Sequence, residues 1–227
     1  MRQSNDPYAG LSGETIRPIQ TLSRIALEAI ERLIADGSLK SGDRVNESHL
    51  AELLGISRGP VREAVHSLEQ MGLLVSVTNR GMFVRALSLE EAQHLYELRS
   101  ALAGLAGRLI AVRGTDEDIN TLIALVHEMD MAVSKDDAET YFRLNLDFHE
   151  KLIGAAGNPA LQATYQRIVK QLLLMRRRGL VQAHNIRISN EEHRVIVDAL
   201  RMRDADAAET AMRIHVENGF KRIADAG

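Results

Sequence analysis

The 227-residue sequence predicts a mainly α-helical chain in two parts: an N-terminal winged helix-turn-helix, then a C-terminal antiparallel α-helical bundle of about six helices. Three observations carry that expectation. Apolar residues recur at helical spacing over most of the length. Two short periodic stretches meet at Gly55 and are followed by two β-rich runs flanking Thr78-Asn79-Arg80-Gly81. Beyond Ser88 the pattern is helical throughout, with short links.

Residues 1–14 are polar and Gly/Ser-containing and read as a flexible tail. The first domain spans 15–87. Its opening helix runs from Ile19 to Ala35, with Leu22, Ile25, Ala26, Ala29 and Leu33 on one face, and Asp36-Gly37 ends it. A turn at Ser41-Gly42-Asp43 precedes a short helix, Glu47 to Leu54, stopped by Gly55. Ser57 is placed to cap the next helix, and Pro60 falls in its first turn, where a missing N–H costs little. That helix reaches about Met71 and ends at Gly72. Leu50, Leu53, Leu54, Ile56, Val61, Val65 and Leu68 are its expected apolar joint with the short helix. Strands Leu73 to Val77 and Met82 to Arg85 form a hairpin, with Asn79 and Gly81 suiting the turn. The capping box Ser88-Leu89-Glu90-Glu91 opens the second domain, 88–227. Helices are expected there at about 89–113, 116–134, 137–156, 159–180, 190–203 and 204–223. Thr115, Asn158 before Pro159, and a second capping box at Ser189-Asn190-Glu191-Glu192 mark three of the starts.

The absence of cysteine excludes disulfides and thiolate chemistry and suits a reducing cytoplasm. No apolar run suggests a signal peptide or a membrane span, so the expected location is cytoplasmic. The net charge of −3 gives no hint of nucleic acid. The segment 15–87 is nearly balanced, with nine Lys/Arg against eight Asp/Glu. A DNA-binding reading must therefore rest on where the arginines stand.

They stand in an ordered way. Arg58, Arg62 and His66 follow at four-residue spacing and share one helix face. A helix entering the major groove needs such donors near its N-terminus, because arginine pairs bidentately with guanine or clamps phosphate. Arg80 sits at the hairpin tip, and Gly81 lets the backbone approach closely. The alternative is a solvated face with Arg58 and Arg62 paired to Glu63 and Glu69. The array from Leu50 through Gly55-Ile56-Ser57-Arg58-Gly59-Pro60-Val61-Arg62-Glu63-Ala64, then Leu68-Glu69-Gln70-Met71-Gly72-Leu73-Leu74 and Asn79-Arg80-Gly81, closely resembles the N-terminal domain of the GntR family of bacterial regulators. Ser41-Gly42-Asp43-Arg44-Val45-Asn46-Glu47 also fits. The resemblance implies that Arg58, Arg62, Arg80 and Gly81 contact duplex DNA; Arg44 and His66 join the candidate set. Ser48 stands where many relatives carry a DNA-contacting arginine, with Arg44 and His49 as neighbours, and Gln70-Met71 replaces a commoner acidic residue.

The bundle carries polar residues on its apolar faces. Asn145 and His149 share a face with Phe148 and Leu152, His193 with Ile196, Val197 and Leu200, and His215 with Ala208, Ala211 and Met212. Imidazoles from facing helices can hold a divalent metal; a hydrogen-bonded core histidine is the alternative for each. His94, His127 and His184 read as surface or core fillers. Phe148-His149-Glu150-Lys151-Leu152, Ala155-Ala156-Gly157-Asn158-Pro159-Ala160-Leu161, and Glu192-His193 through Ala199-Leu200 to Asp204 and His215 resemble the FCD effector domain of the FadR-type GntR subfamily, over about Ser88 to Ala224. That resemblance implies a divalent metal, zinc or nickel, on Asn145, His149, His193 and His215, with a small carboxylate bound beside it. Many relatives have Asp at the Asn145 position, so weaker metal binding is expected here. Asp147, two residues along, points to nearly the opposite side. Arg99, in Tyr96-Glu97-Leu98-Arg99, matches a position from which relatives contact the effector, and a guanidinium suits a carboxylate. The alternative is a surface salt bridge with Glu97 or Glu91. Ala103 stands where relatives usually have Glu. Arg176-Arg177-Arg178 reads as a solvated face.

The expected function is a homodimeric transcription regulator, a repressor without enzymatic activity. It would bind a roughly palindromic operator and respond to a small organic acid in the helical domain. Two other readings stay open: a helical metalloenzyme with an appended DNA-binding module, and a DNA binder whose bundle only dimerises. The first would need a general base, and Glu150 and Asp147 both point off the His149 face.

Overall fold

A computed structural model describes residues 21–179 and 183–225, with side chains at 21–173 and 184–225. The expected tail over 1–14, the opening of the first helix at Ile19 and the side chains of Arg176-Arg177-Arg178 lie outside the described residues. The elements run α1 (Leu22–Ala35), α2 (Glu47–Leu54), α3 (Arg58–Gln70), β1 (Leu74–Val77), β2 (Gly81–Val84), α4 (Leu89–Arg113), α5 (Asp116–Ser134), α6 (Ala138–Ala155), α7 (Pro159–Gly179), α8 (Ala183–Arg201) and α9 (Ala205–Ala224). Two apolar cores form. One draws on α1, α3 and the wing, around Ile30, Val61, Val65, Leu68 and Leu73. The other fills the bundle, around Ile110, Leu122, Met129, Phe148, Leu152 and Ile196. Among the described residues no helix is long and apolar enough to cross a membrane.

In the first core α1 turns a different face inward than its periodicity suggests. Ala26, Ala29, Ile30 and Ile34 are buried, whereas Leu22 and Ile25 are exposed. Ala26 and Ala29 belong to both candidate stripes, and packing on α3 selects the stripe holding the two isoleucines. Gly55, with φ +65°, ends α2 in the left-handed conformation that glycine adopts without strain. Ser57 occupies the N-cap of α3, but its side chain makes no capping hydrogen bond. Leu50, Val61, Val65 and Leu68 form the joint, while Leu53 points to solvent at 67% exposure. Leu74 pairs with Val84 and Val77 with Gly81 in the antiparallel wing, and Asn79 (φ +61°) and Gly81 (φ +100°) make its tight end. Arg44 bridges to Phe83 along the outer edge of β2.

In the bundle the boxes at Ser88–Glu91 and Thr115–Asp118 both form. The box expected at Ser189 does not. α8 begins at Ala183, so Ser189 and Asn190 lie inside it, both buried. Their polar groups face other helices, and Asn190 Nδ2 donates to Asp130 on α5.

α4 and α9 lie side by side on small residues. A Cβ at Gly107 would stand 2.7 Å from the Ala208 carbonyl oxygen and 2.9 Å from Met212 Cγ. In an isolated helix Gly→Ala gains about 1 kcal/mol. Here the nearest atom is backbone and cannot rotate away, so an overpacking cost of about 1–3 kcal/mol opposes that gain. Gly107→Ala is expected to lower the urea midpoint at unchanged m-value; a raised midpoint would show that the two helices can spread.

α7 ties the two cores together. Lys170 Nζ meets Glu31 Oε1 of α1 at 2.6 Å. Arg167 Nη2 donates to the Gln70 carbonyl at 2.8 Å, and Gln171 Nε2 to the Met71 carbonyl at 2.7 Å. The bundle thus grips the C-terminal end of α3 directly.

Candidate nucleic-acid interface and metal centre

Arg58 is the first residue of α3, and Arg62 and His66 follow one turn apart, all exposed. Neither expected alternative partner takes Arg62. Its Nε lies 3.6 Å from Glu47 Oε2, with the side chain 65% exposed. Glu63 instead accepts from Ser23 Oγ, and Glu69 lies 3.4 Å from His66 Nδ1. An exposed pair of this kind is worth about 0–1 kcal/mol, so a phosphate or base edge can displace Glu47. At the wing, the Arg80 guanidinium carbon lies 5.5 Å from the Phe83 ring centroid. The Arg44 guanidinium runs past Gly81, where a Cβ would come within 3.4 Å of its Nε. Ser48 and His49 are exposed at the start of α2. The structure therefore sets Arg58, Arg62 and His66 on α3, and Arg44, Arg80 and Gly81 on the wing.

Inside the bundle, α6 supplies Asn145 and His149, α8 His193 and α9 His215, and all four side chains are buried. The three imidazoles each offer a ligand atom within 4.8 Å of the others. His215 Nε2 lies 3.2 Å from His149 Nε2, and the His193 and His215 ring centroids are 4.5 Å apart. Asn145, one turn before His149, lines a pocket with His149 and His215. Asp147 turns away and faces Lys151 at 3.8 Å.

A second layer orients this set. Glu192 Oε2 lies 2.7 Å from His215 Nδ1, and its carboxylate also accepts from both terminal nitrogens of Arg222 (3.0 and 3.1 Å) and from Asn218 Nδ2 (2.9 Å). Burial alone would raise the Glu192 pKa; hydrogen bonds from His215 and Arg222 outweigh it and hold it at about 2. Burial pushes His215 below the ordinary histidine range, against the opposing pull of Glu192. With an ionised Glu192 as acceptor, the neutral ring carries its proton on Nδ1, and the Nε2 lone pair faces His149. Three imidazoles, one backed by a carboxylate, together with an amide oxygen, fit a borderline divalent metal such as zinc or nickel.

Arg99 is 5% exposed, and neither Glu97 nor Glu91 pairs with it. Its Nε donates to Tyr165 Oη at 3.0 Å, and its guanidinium carbon lies 5.4 Å from the Tyr96 ring centroid and 5.3 Å from that of Tyr165. Among the described residues no Asp or Glu forms an ion pair with it. It lines the same pocket, about 40 Å³ in volume, as Asn145, His149, His215 and Arg222. Sequence reasoning missed Glu192, Arg222 and Tyr165. Arg222 had a signal, since it follows His215 by seven residues and so shares its face. Tyr165 had none, because its contact with Arg99 spans 66 residues of chain.

Comparison with known proteins agrees with both halves. The description "Bacterial regulatory proteins, gntR family" matches residues 22–84, and "FCD domain" matches residues 94–218. The Nta operon transcriptional regulator of Aminobacter aminovorans is 32% identical over 184 residues, which cover 81% of this chain and 86% of that protein. The probable D-xylose utilization operon transcriptional repressor of Paenarthrobacter nicotinovorans is 31% identical over 185 residues, 81% of this chain and 80% of that one. The structure of E. coli McbR/YncC shares the fold, with a TM-score of 0.77 at 20% identity over 91% of this chain and 99% of that chain. The chain therefore belongs to the GntR family of bacterial regulatory proteins, as a DNA-binding transcriptional regulator, not an enzyme, whose helix-turn-helix domain is followed by an FCD domain.

Proposed function

We propose that this regulator is a homodimeric repressor that leaves its operator when a small organic acid binds Arg99, beside a divalent metal held by Asn145, His149, His193 and His215. The observation that carries the reading is Arg99: a buried guanidinium without an acidic partner among the described residues, on the pocket that the metal-ligand candidates share. A buried cation is costly unless paired, and a carboxylate would satisfy it through charge-assisted hydrogen bonds. A bound metal would supply a second, Lewis-acidic anchor for an anion. The relative named as a repressor supports the sign of regulation.

The route to DNA runs along α7. Tyr165 holds Arg99, and Arg167, Lys170 and Gln171 on the same helix hold α3 and α1. A ligand that moves Arg99 biases that grip, and couplings of this kind are typically about 1–3 kcal/mol. The test is retardation of the gene's own upstream DNA with and without added organic acids. An acid should release native protein but not Arg99→Met, which should require at least tenfold more. An equal response from both proteins would overturn the reading. Zinc or nickel content, and its loss in His149→Ala and His193→Ala, tests the metal.

Dimerisation is supported by α4, where Leu98, Leu105 and Val112, seven residues apart, are 50%, 41% and 69% exposed. A second copy covering this stripe would match the two-fold symmetry of a palindromic operator. Leu105→Glu is expected to give monomers by light scattering, with at least tenfold weaker operator binding. An unchanged dimer would place the interface elsewhere.

A further inference from the structure

We infer that the effector is a monocarboxylic acid with an apolar tail, and that the tail lies in the cavity between α6 and α7. This rests on the reading of Arg99 as the carboxylate anchor. The pocket around Arg99 and the histidines, about 40 Å³, has room for a carboxylate and a few water-sized groups. It does not have room for the rest of a multi-carbon acid. A second cavity of about 380 Å³ adjoins it and shares Arg99 and His149 as wall. That volume lies within the range of small-molecule sites. Its other walls are mainly apolar: Leu146 and Ile153 from α6, Tyr165 and Val169 from α7. Leu146 stays 37% exposed there and Val169 half-buried, so apolar surface is left for a ligand to cover.

The charges around the cavity select against a polyacid. Two cationic side chains line it, Arg99 and Lys170, and Lys170 is already paired with Glu31. Glu150 is the acidic residue of the lining and would repel a second carboxylate. A single carboxylate at Arg99 with a hydrocarbon tail matches the apolar walls and leaves the exposed Glu150 and Gln166 to solvent. Within this cavity a second carboxylate would meet Glu150 and find no uncommitted cation, since Arg99 holds the first carboxylate and Lys170 pairs with Glu31.

The test is calorimetric titration of the full-length protein with butanoate, hexanoate and octanoate, and with malate and citrate. Covering apolar surface is worth about a three- to fourfold gain in affinity per methylene, so octanoate should bind on the order of a hundredfold tighter than butanoate. Leu146→Gln and Val169→Gln should flatten the series, and a native circular dichroism spectrum and melting transition show that those variants fold. Arg99→Met should abolish binding throughout. Arg99-dependent binding with no gain along the series, or with malate or citrate preferred to octanoate, would overturn the tail site and leave the Arg99 reading standing. Absence of Arg99-dependent binding by any of these acids would overturn both.

Discussion

Replacing Arg58 and Arg62 together by alanine is expected to abolish sequence-specific DNA retention while leaving the fold intact. Both side chains are exposed at the N-terminal end of α3, and that helix is held by Val61, Ala64, Val65 and Leu68 on its other side. Exposed substitutions of this kind change stability by no more than about 0.5 kcal/mol. The loss in binding is far larger. A bidentate arginine–guanine pair discriminates by about 1–3 kcal/mol, so two of them supply roughly 2–6 kcal/mol. Specific and non-specific binding differ by about 4–10 kcal/mol in such proteins, and the double variant removes much of that margin. The net charge of −3 offers no compensating attraction to DNA. Anisotropy titrations of the upstream DNA at several salt concentrations separate two roles. A base-reading arginine loses discrimination between operator and random sequence, whereas a phosphate-clamping one lowers the salt slope by about one. Retained specific binding by the double variant would remove α3 as the reading helix.

The helix-turn-helix is legible in the sequence because its signals are local. Gly55 and Pro60 act through their own backbone geometry, and Arg58, Arg62 and His66 share a face by spacing alone. The four metal-ligand candidates are legible for a related reason, since each sits on an apolar helical face and must point inward. What could not be read depends on the partner helix. The face of α1 is ambiguous because Ala26 and Ala29 fit two stripes, and only packing on α3 decides between them. Ser189 begins a good capping-box pattern, yet the pattern reports residue types and not whether the preceding residues are already helical. The grip of α7 on α3 uses side chains to backbone carbonyls about 100 positions away, which no periodicity reveals.

Glu192 illustrates the same limit and carries the other large expected effect. It is adjacent to His193 in sequence but serves His215 on another helix, and it joins Arg222 and Asn218 only when α8 and α9 meet. Glu192→Ala would leave Arg222, whose side chain is 10% exposed, without its carboxylate, on the pocket that Arg99 also lines. Removing one partner of a buried pair costs about 3–5 kcal/mol, and the lower end applies because the pocket beside Glu192 can admit water. For a chain of this size that corresponds to a fall in Tm of roughly 6–12 °C. Replacing both Glu192 and Arg222 with apolar residues should recover part of the loss, since no charge is then stranded. Stability alone would not distinguish a structural ion pair from a residue that aims a ligand. Zinc affinity does so: without the acceptor at Nδ1, His215 no longer holds its Nε2 lone pair toward His149, and affinity should fall about 10–100-fold. Glu192→Gln keeps one acceptor oxygen and should lie between Ala and native protein on both measures. A destabilised Glu192→Ala with native zinc affinity would make Glu192 a brace for Arg222 alone and leave the orientation of His215 to the packing of the three rings.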